Sequence, residues 1–171
     1  MAISTTKIYF FNLFCKLMPP TRCNKMKIRL LRWAGAKVGK NVSLFSPKIL
    51  GNFDLIIGDN CWIGHEAILM GPAESKIEMK AYSKVASRAM VVTGYHDYGL
   101  QYDCIAGPGK WADVTIERGA VVGTMAIICP GKTIGEKAHV VAGAVVTHNI
   151  NPGVRVGGIP ARIIKDFNEN E

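Results

Sequence analysis

A run of aliphatic residues at six-residue intervals constrains the fold of this 171-residue chain more than any other feature. The aliphatic members of the run are Ile116, Val122, Ile128, Ile134, Val140 and Val146. Small residues follow most of them four positions later, at Ala120, Ala126, Ala138 and Ala144. An interval of six matches neither the 3.6-residue period of a helix nor the two-residue period of one strand. It predicts a coil of short strands, with one aliphatic side chain of each strand pointing into a narrow prism.

The first half of the chain carries a less regular version of the same pattern. Its members are Val38, Ile57, Ile63 and, more weakly, Ile77 and Ser83. The corresponding small positions are Cys61, Ala67, Ala81 and Ser87. Glycine follows several aliphatic members directly, as at Gly58 and Gly123, and glycine permits a tight corner between strands. The repeat therefore extends over most of the sequence.

These hexads, and the closing segment Gly158-Ile-Pro-Ala-Arg162, resemble the hexapeptide-repeat acyltransferase family. The resemblance covers residues 38–165 and implies an all-β fold, a left-handed parallel β-helix of hexapeptide repeats. It also implies a homotrimer with active sites between neighbouring prisms. The expected organisation is a helical, basic N-terminal segment over residues 1–36, the β-helix domain over 37–165, and a flexible tail over 166–171.

The hexad pattern is interrupted over residues 94–113, which we expect to form an extended active-site loop. The insertion contains His96, and an imidazole with an unperturbed pKa of about 6.5 suits a general base at neutral pH. Gly94-Tyr-His-Asp-Tyr98 resembles the catalytic loop of the sugar O-acetyltransferase branch. The resemblance implies that His96 deprotonates an acceptor hydroxyl, which attacks the acetyl thioester directly. Asp97 is the predicted orienting acid, with Asp103 and Asp113 as alternatives.

The acceptor is expected to contact Tyr95 and Tyr98 of the insertion. Related enzymes also place an asparagine on an early coil, and the matching stretch here reads Trp62-Ile-Gly-His-Glu66. His65 and Glu66 are therefore predicted to line the acceptor pocket in place of the asparagine. The alternative is that these two side chains are solvated turn residues.

The resemblance further implies acetyl-CoA as a co-substrate, lying in the groove between two prisms. Carried over position by position, the predicted coenzyme contacts are Gly123, Thr124, Ala142, Gly143, Thr147, His148, Arg162 and Lys165. The two cations at the end of this set suit the phosphates of the coenzyme. No metal is expected, because the four histidines include no closely spaced pair for a zinc site of the γ-carbonic-anhydrase type.

The net charge of +8 points to anionic partners. No recognition helix or RNA-binding motif is present in the sequence, so nucleic acid is not an expected partner. Ile8–Met18 is apolar and is followed by a basic and apolar mixture over 22–33, which predicts a helix that caps the core. Peripheral contact of this segment with a membrane is the alternative. The five cysteines form no CxxC pair and favour a cytoplasmic protein, at the inner face of the membrane if the segment binds lipid.

Together these features predict an acetyl-CoA-dependent O-acetyltransferase that acts on a sugar hydroxyl in cell-surface polysaccharide synthesis, such as O-antigen, capsule or exopolysaccharide. One alternative is another small acceptor, either an amino sugar that is N-acetylated or an antibiotic. A second alternative is a β-helix scaffold without catalytic activity, which would not require a histidine in a long insertion.

Overall fold

Three parallel sheets wind into a triangular prism in the computed structural model, which describes residues 2–169. Two helices precede the prism, α1 (Thr5–Leu17) and α2 (Asn24–Trp33). The first three coils contain β1 (Lys37–Val38), β2 (Ser43–Leu44), β3 (Lys48–Gly51), β4 (Asp54–Ile57), β5 (Trp62–Ile63), β6 (Ile68–Gly71), β7 (Lys76–Met79), β8 (Lys84–Val85) and β9 (Met90–Val92). The insertion forms β10 (Gly94–Tyr98) and β11 (Ala106–Trp111). The last coils contain β12 (Val114–Ile116), β13 (Val121–Val122), β14 (Ile127–Ile128), β15 (Thr133–Ile134), β16 (His139–Val140), β17 (Val145–Val146), β18 (Val154–Gly157) and β19 (Arg162–Asp166).

Each coil contributes one strand to each sheet. Sheet A has the order β1-β4-β7-β12-β15, sheet C the order β3-β6-β9-β14-β17, and sheet B runs from β2 through β5, β8, β13 and β16 to β18 and β19. All of these strand pairs are parallel except β18 with β19. The turns from sheet B to sheet C form one edge of the prism, here called the B–C corner, and those from sheet C to sheet A form the C–A corner. The predicted left-handed β-helix is confirmed.

The hexad residues fill the prism as predicted. The aliphatic members from Ile116 to Val146 are all fully buried, and the alanines that follow them are exposed by 1% or less. The third coil corrects the sequence interpretation, because its true hexad begins at Met79, which pairs with Ile57, and continues at Val85. Ile77 is also buried, but it belongs to the other inward position of a four-residue strand. The small positions of this coil are therefore Ser83 and Ala89, whereas the predicted Ala81 and Ser87 are partly exposed.

The two N-terminal helices cover the open end of the prism. The amide of Asn12 donates to the Ile49 carbonyl at 2.7 Å and accepts from the Ile49 N–H at 3.1 Å, so it pairs with the edge of sheet C. Asn24 does the same for sheet B, with the Val42 carbonyl and the Leu44 N–H both at 2.8 Å. The guanidinium of Arg32 donates to the carbonyl oxygens of Val38 and Gly39, at the end of β1 in sheet A. Side chains thus satisfy backbone groups that have no preceding strand.

The insertion, expected as a loop, is an antiparallel hairpin that projects from the C–A corner. Its register pairs Gly94 with Trp111 and His96 with Gly109, and it shifts between His96 and Tyr98. The predicted flexible tail is attached to the last coil in its first part, since the Phe167 N–H donates to Gly153 and Asn168 donates to Pro152. Residues 170 and 171 of that tail lie outside the described residues. Neither helix in the described part of the chain is long and apolar enough to cross a membrane.

Candidate active site

His96 lies on the hairpin with its ring held by a backbone group of the facing strand. Its Nδ1 is 2.9 Å from the carbonyl oxygen of Gly107. A carbonyl oxygen only accepts hydrogen bonds, so Nδ1 carries the proton in this contact. The neutral ring then has its free lone pair on Nε2, and the side chain is exposed. This tautomer is the one that can remove a proton from a bound hydroxyl.

Asp97 points away from His96, because successive side chains of a strand alternate between its two faces. Its carboxylate accepts from Lys110 Nζ at 2.8 Å and from the Tyr102 hydroxyl at 3.3 Å. The hydrogen bond and charge of Lys110 lower the pKa of Asp97, and Asp97 in turn raises the pKa of Lys110. Asp113, another predicted alternative, accepts from the backbone N–H of Lys76 at 2.8 Å. The group in contact with His96 Nδ1 is therefore the Gly107 carbonyl, whereas the Asp97 carboxylate bonds to Lys110 and Tyr102.

The two tyrosines predicted for the acceptor are both exposed, by 41% at Tyr95 and 68% at Tyr98. Tyr95 stands opposite Lys110 in the hairpin and so shares the face of Asp97. Tyr98 lies beyond the irregular step in the pairing, at the strand end nearer the hairpin tip. Strand alternation therefore places Tyr95 on the opposite face of the hairpin from His96. It makes no such assignment for Tyr98.

His65 and Glu66 lie at the B–C corner of the second coil. His65 Nδ1 donates to the Phe45 carbonyl at 3.3 Å, and the Glu66 carboxylate accepts from Arg88 Nε at 2.8 Å. The hydrogen bond and charge of Arg88 lower the pKa of Glu66. Glu66 has a φ of +56°, which places it in the left-handed turn conformation. Both residues line a cavity.

This cavity, called the α1 cavity below, has a volume of about 790 Å³ and lies between α1 and the B–C corner. Its lining comprises Tyr9, Asn12, Leu13, Cys15, Lys16, Met18, Pro20, Ser46, Pro47, Lys48, His65, Glu66, Ile68 and Arg88. The contribution of α1 and Arg88 to the cavity has no counterpart in the sequence, because no local signal connects a residue near position 13 with a corner near position 66. Burial raises the pKa of the Cys15 thiol at the back of this region to about 11.

Four of the predicted coenzyme residues form a column at the B–C corner above the α1 cavity. Gly123 and Thr124 occupy this corner in the fourth coil, and Ala142 and Gly143 occupy it in the fifth. The Gly143 N–H donates to the Thr124 carbonyl at 2.9 Å, which stacks the two turns directly. A Cβ on Gly123 would lie 2.6 Å from the Ala142 nitrogen, so only glycine fits this close approach.

The other four predicted coenzyme residues are divided between three places. Arg162 begins β19, where the Ala161 N–H donates to the Val145 carbonyl, so it lies at the top of the B–C column. Lys165 pairs with Arg155 on sheet B, and its Nζ is 5.0 Å from the Phe167 ring centroid. Thr147 and His148 follow β17 and therefore lie at the C–A corner, two coils above the hairpin. One chain alone does not bring all eight residues together.

Apart from Lys165 on sheet B, the candidate site residues thus occupy two edges of the prism, on either side of sheet C. The outward side chains of sheet C are mostly apolar and only partly buried: Leu50, Ile68, Met70, Met90, Val92, Ile127 and Val145. Among the described residues, no group of three or more histidine, cysteine, aspartate or glutamate side chains is arranged to hold a metal ion.

Comparison with known proteins gives the family. The hexapeptide repeat of succinyl-transferase matches residues 54–71 and 113–148. A protein of Escherichia coli strain K12 with the provisional name colanic acid biosynthesis acetyltransferase WcaF is 32% identical over 143 residues, which are 83% of this chain and 75% of that protein. The chain belongs to the hexapeptide-repeat acetyltransferase family. The predictions of that family and of an acyltransferase are confirmed.

Solved structures of two acyltransferases share the fold. A galactoside acetyltransferase in complex with coenzyme A superposes with a TM-score of 0.69 at 23% identity, over 96% of this chain and 78% of that one. A variant of AntD, an N-acyltransferase from Bacillus cereus, in complex with dTDP and coenzyme A has a TM-score of 0.68 at 25% identity, over 78% and 74% of the two chains. Both structures contain coenzyme A, in agreement with the expected co-substrate.

Proposed function

We propose that this hexapeptide-repeat acetyltransferase transfers an acetyl group from acetyl-CoA to a sugar hydroxyl in the synthesis of a cell-surface polysaccharide. The observation that supports the reaction type is the hydrogen bond from His96 Nδ1 to the Gly107 carbonyl, which leaves Nε2 free to accept a proton. The similarity to the protein named for colanic acid biosynthesis supports the class of product.

In the proposed mechanism, His96 Nε2 removes the proton of the acceptor hydroxyl while its oxygen attacks the thioester carbonyl carbon. The resulting tetrahedral intermediate collapses with cleavage of the carbon–sulfur bond. The departing thiolate takes the proton from the imidazolium, so the products are an O-acetyl ester and free coenzyme A. General-base assistance of this kind contributes roughly 10²–10⁴-fold to a rate.

We further propose that the complete site forms between two copies of the chain within a homotrimer. With the apolar face of sheet C directed toward a three-fold axis, the B–C corner of one copy meets the C–A corner of the next. The column of Gly123, Thr124, Ala142 and Gly143 would then face His96, Thr147 and His148 of the neighbour. This arrangement would bury the partly exposed apolar side chains of sheet C and bring together the half-sites that one chain keeps apart.

Incubation with acetyl-CoA and a panel of neutral and acidic bacterial glycans tests the proposed activity. Release of coenzyme A thiol, measured with a colorimetric thiol reagent, should depend on the glycan, and mass spectrometry should show a gain of one acetyl group that mild alkali removes. The absence of glycan-dependent thiol release across the panel would contradict the proposed acceptor class.

N-acetylation of an amino sugar is a second candidate, favoured by the similarity to an N-acyltransferase structure that contains dTDP. An amide product would resist the mild alkali that cleaves an ester. An acetylated product that survives this treatment would therefore support the second candidate over the first.

A further inference from the structure

The α1 cavity has an excess of positive charge. Lys16, Lys48 and Arg88 line it, against the single carboxylate of Glu66. Glu66 is already paired with Arg88 at 2.8 Å, and within residues 2–169 no carboxylate lies at ion-pair distance from Lys16 or Lys48. Two cations are therefore available to an anion that enters the cavity, and phosphate and carboxylate groups are the usual ligands of such cations.

A buried hydroxyl in the cavity wall also lacks a strong hydrogen-bond partner. Ser46 is 7% exposed, and the interaction found for its Oγ within the described residues is a weak one, with the Cys15 sulfur. Buried hydroxyl groups in proteins are nearly always hydrogen bonded, because an unpaired one loses its hydration without compensation. Ser46 is adjacent in the chain to the cavity-lining Pro47, and Lys48 follows. A weak contact with sulfur leaves this hydroxyl able to donate instead to an oxygen of an anion that enters the cavity.

An apolar stripe on α1 leads out of this cationic cavity. Tyr9, Leu13 and Leu17 are four residues apart and therefore lie on one face of the helix. Their exposed fractions are 64%, 40% and 67%, which is high for large apolar side chains. Tyr9 and Leu13 also line the cavity, so the stripe is continuous with it. A hydrocarbon chain that starts at an anion in the cavity could follow this stripe.

We propose that the α1 cavity selects an anionic amphiphile as acetyl acceptor: a sugar joined through a phosphate to a hydrocarbon chain. This inference rests on the proposed function, since it names the class of acceptor for that reaction. The phosphate lies between Lys16, Lys48 and Ser46, and the hydrocarbon contacts Tyr9, Leu13 and Leu17. A water-soluble sugar phosphate shares the charge but would leave the apolar stripe unused, and for this reason the lipid-linked form is the one proposed.

Isothermal titration of the full chain without acetyl-CoA tests this inference with three probes. Dodecyl phosphate below its micelle concentration carries both charge and hydrocarbon, inorganic phosphate carries only charge, and dodecyl maltoside carries only hydrocarbon and neutral sugar. Dodecyl phosphate should bind at least about tenfold more tightly than either of the others. Lys16→Ala, Lys48→Ala and Leu13→Asn should each weaken its binding several-fold. Lys25→Ala is the matched control, because it removes an exposed cation of α2 that lies outside the cavity lining.

Equal affinity for inorganic phosphate and dodecyl phosphate would overturn the inference, as would equal affinity for dodecyl maltoside. Equal weakening by Lys25→Ala would show a general charge effect and would also overturn it. Because binding is measured without acetyl transfer, this result is separate from the fate of the proposed function. An enzyme that acetylates neutral glycans but does not bind dodecyl phosphate would support the proposed function and contradict the inference. A protein that binds dodecyl phosphate but transfers no acetyl group would contradict the proposed function and support the anionic-amphiphile site.

Discussion

The Nδ1 atom of His96 lies 2.9 Å from the carbonyl oxygen of Gly107 on the facing strand of the insertion hairpin. This contact specifies the proton position on the imidazole through a backbone group, with no carboxylate between them. The orientation of the ring therefore depends on the exact path of β11, and changes in that path should affect catalysis more than changes in nearby acidic residues.

Gly107→Ala should lower kcat roughly 10- to 100-fold, the range expected when a catalytic group is displaced by about 1 Å. A Cβ at this position would overlap the Tyr102 ring, so either the strand that carries the Gly107 carbonyl shifts or the ring moves and loses its hydrogen bond to Asp97. Gly109→Ala is the matched control, because its Cβ would meet nothing within 4 Å. Steady-state kinetics should show a loss for the first variant only. Equal activity of the two would contradict a positioning role for the carbonyl.

Asp97→Asn should lower kcat less than tenfold, since its carboxylate contacts Lys110 and Tyr102. Loss of a carboxylate that does orient a general-base histidine costs far more, about 10⁴-fold in a Ser-His-Asp triad. The lowered pKa of Asp97 means that its ion pair persists above its ordinary pKa of about 4 and is lost only as the pH falls through the lower value. The pH–rate profile between about pH 5 and 9 should therefore keep its shape in this variant. A new limb in that range would restore Asp97 as the orienting acid.

Asn24→Ala should destabilise the fold by about 1–3 kcal/mol, because it leaves the Val42 carbonyl and Leu44 N–H of the sheet edge without partners. Urea unfolding followed by circular dichroism measures the change. Asn52→Ala, at an asparagine for which no side-chain hydrogen bond is found within the described chain, serves as the control. If both variants unfolded at the same urea concentration as the parent, the helices would not stabilise the prism through this amide.

Much of the fold follows from the sequence, because the hexad places one aliphatic residue at each wall of the prism. The resulting six-residue interval differs from the periods of a helix and of a single strand. The hexad phase predicted for the third coil is wrong, because β7 contains two inward residues, Ile77 and Met79, and only Met79 continues the hexad. His96 could be selected as a candidate because it lies in the one long interruption. Its partner could not, since a backbone carbonyl such as that of Gly107 has no signature in the sequence. The α1 cavity was likewise hidden, because it joins segments about fifty residues apart.

Mixed assemblies test the proposed sharing of the site between copies. His96→Ala and Arg88→Glu should each lose most of their activity alone, the first at the hairpin and the second at the α1 cavity. Co-expression should restore roughly a quarter of the parent activity. With random mixing, half of the sites have an intact α1 cavity, and half of those also receive an intact His96 from the neighbouring copy. The assembly should have about three times the 18.6 kDa mass of one chain by light scattering. A mixture no more active than its two components would contradict a composite site.

The most direct test of the account is the turnover of His96→Ala with saturating acetyl-CoA and an acceptor glycan, followed by thiol release. The proposed mechanism predicts a fall in kcat of roughly 10²–10⁴-fold with little change in KM for acetyl-CoA, because the base is lost while the coenzyme contacts remain. His139→Gln, at a partly buried histidine on sheet B away from both corners, should keep parent activity. Near-normal turnover of His96→Ala in a folded protein would contradict the proposed mechanism.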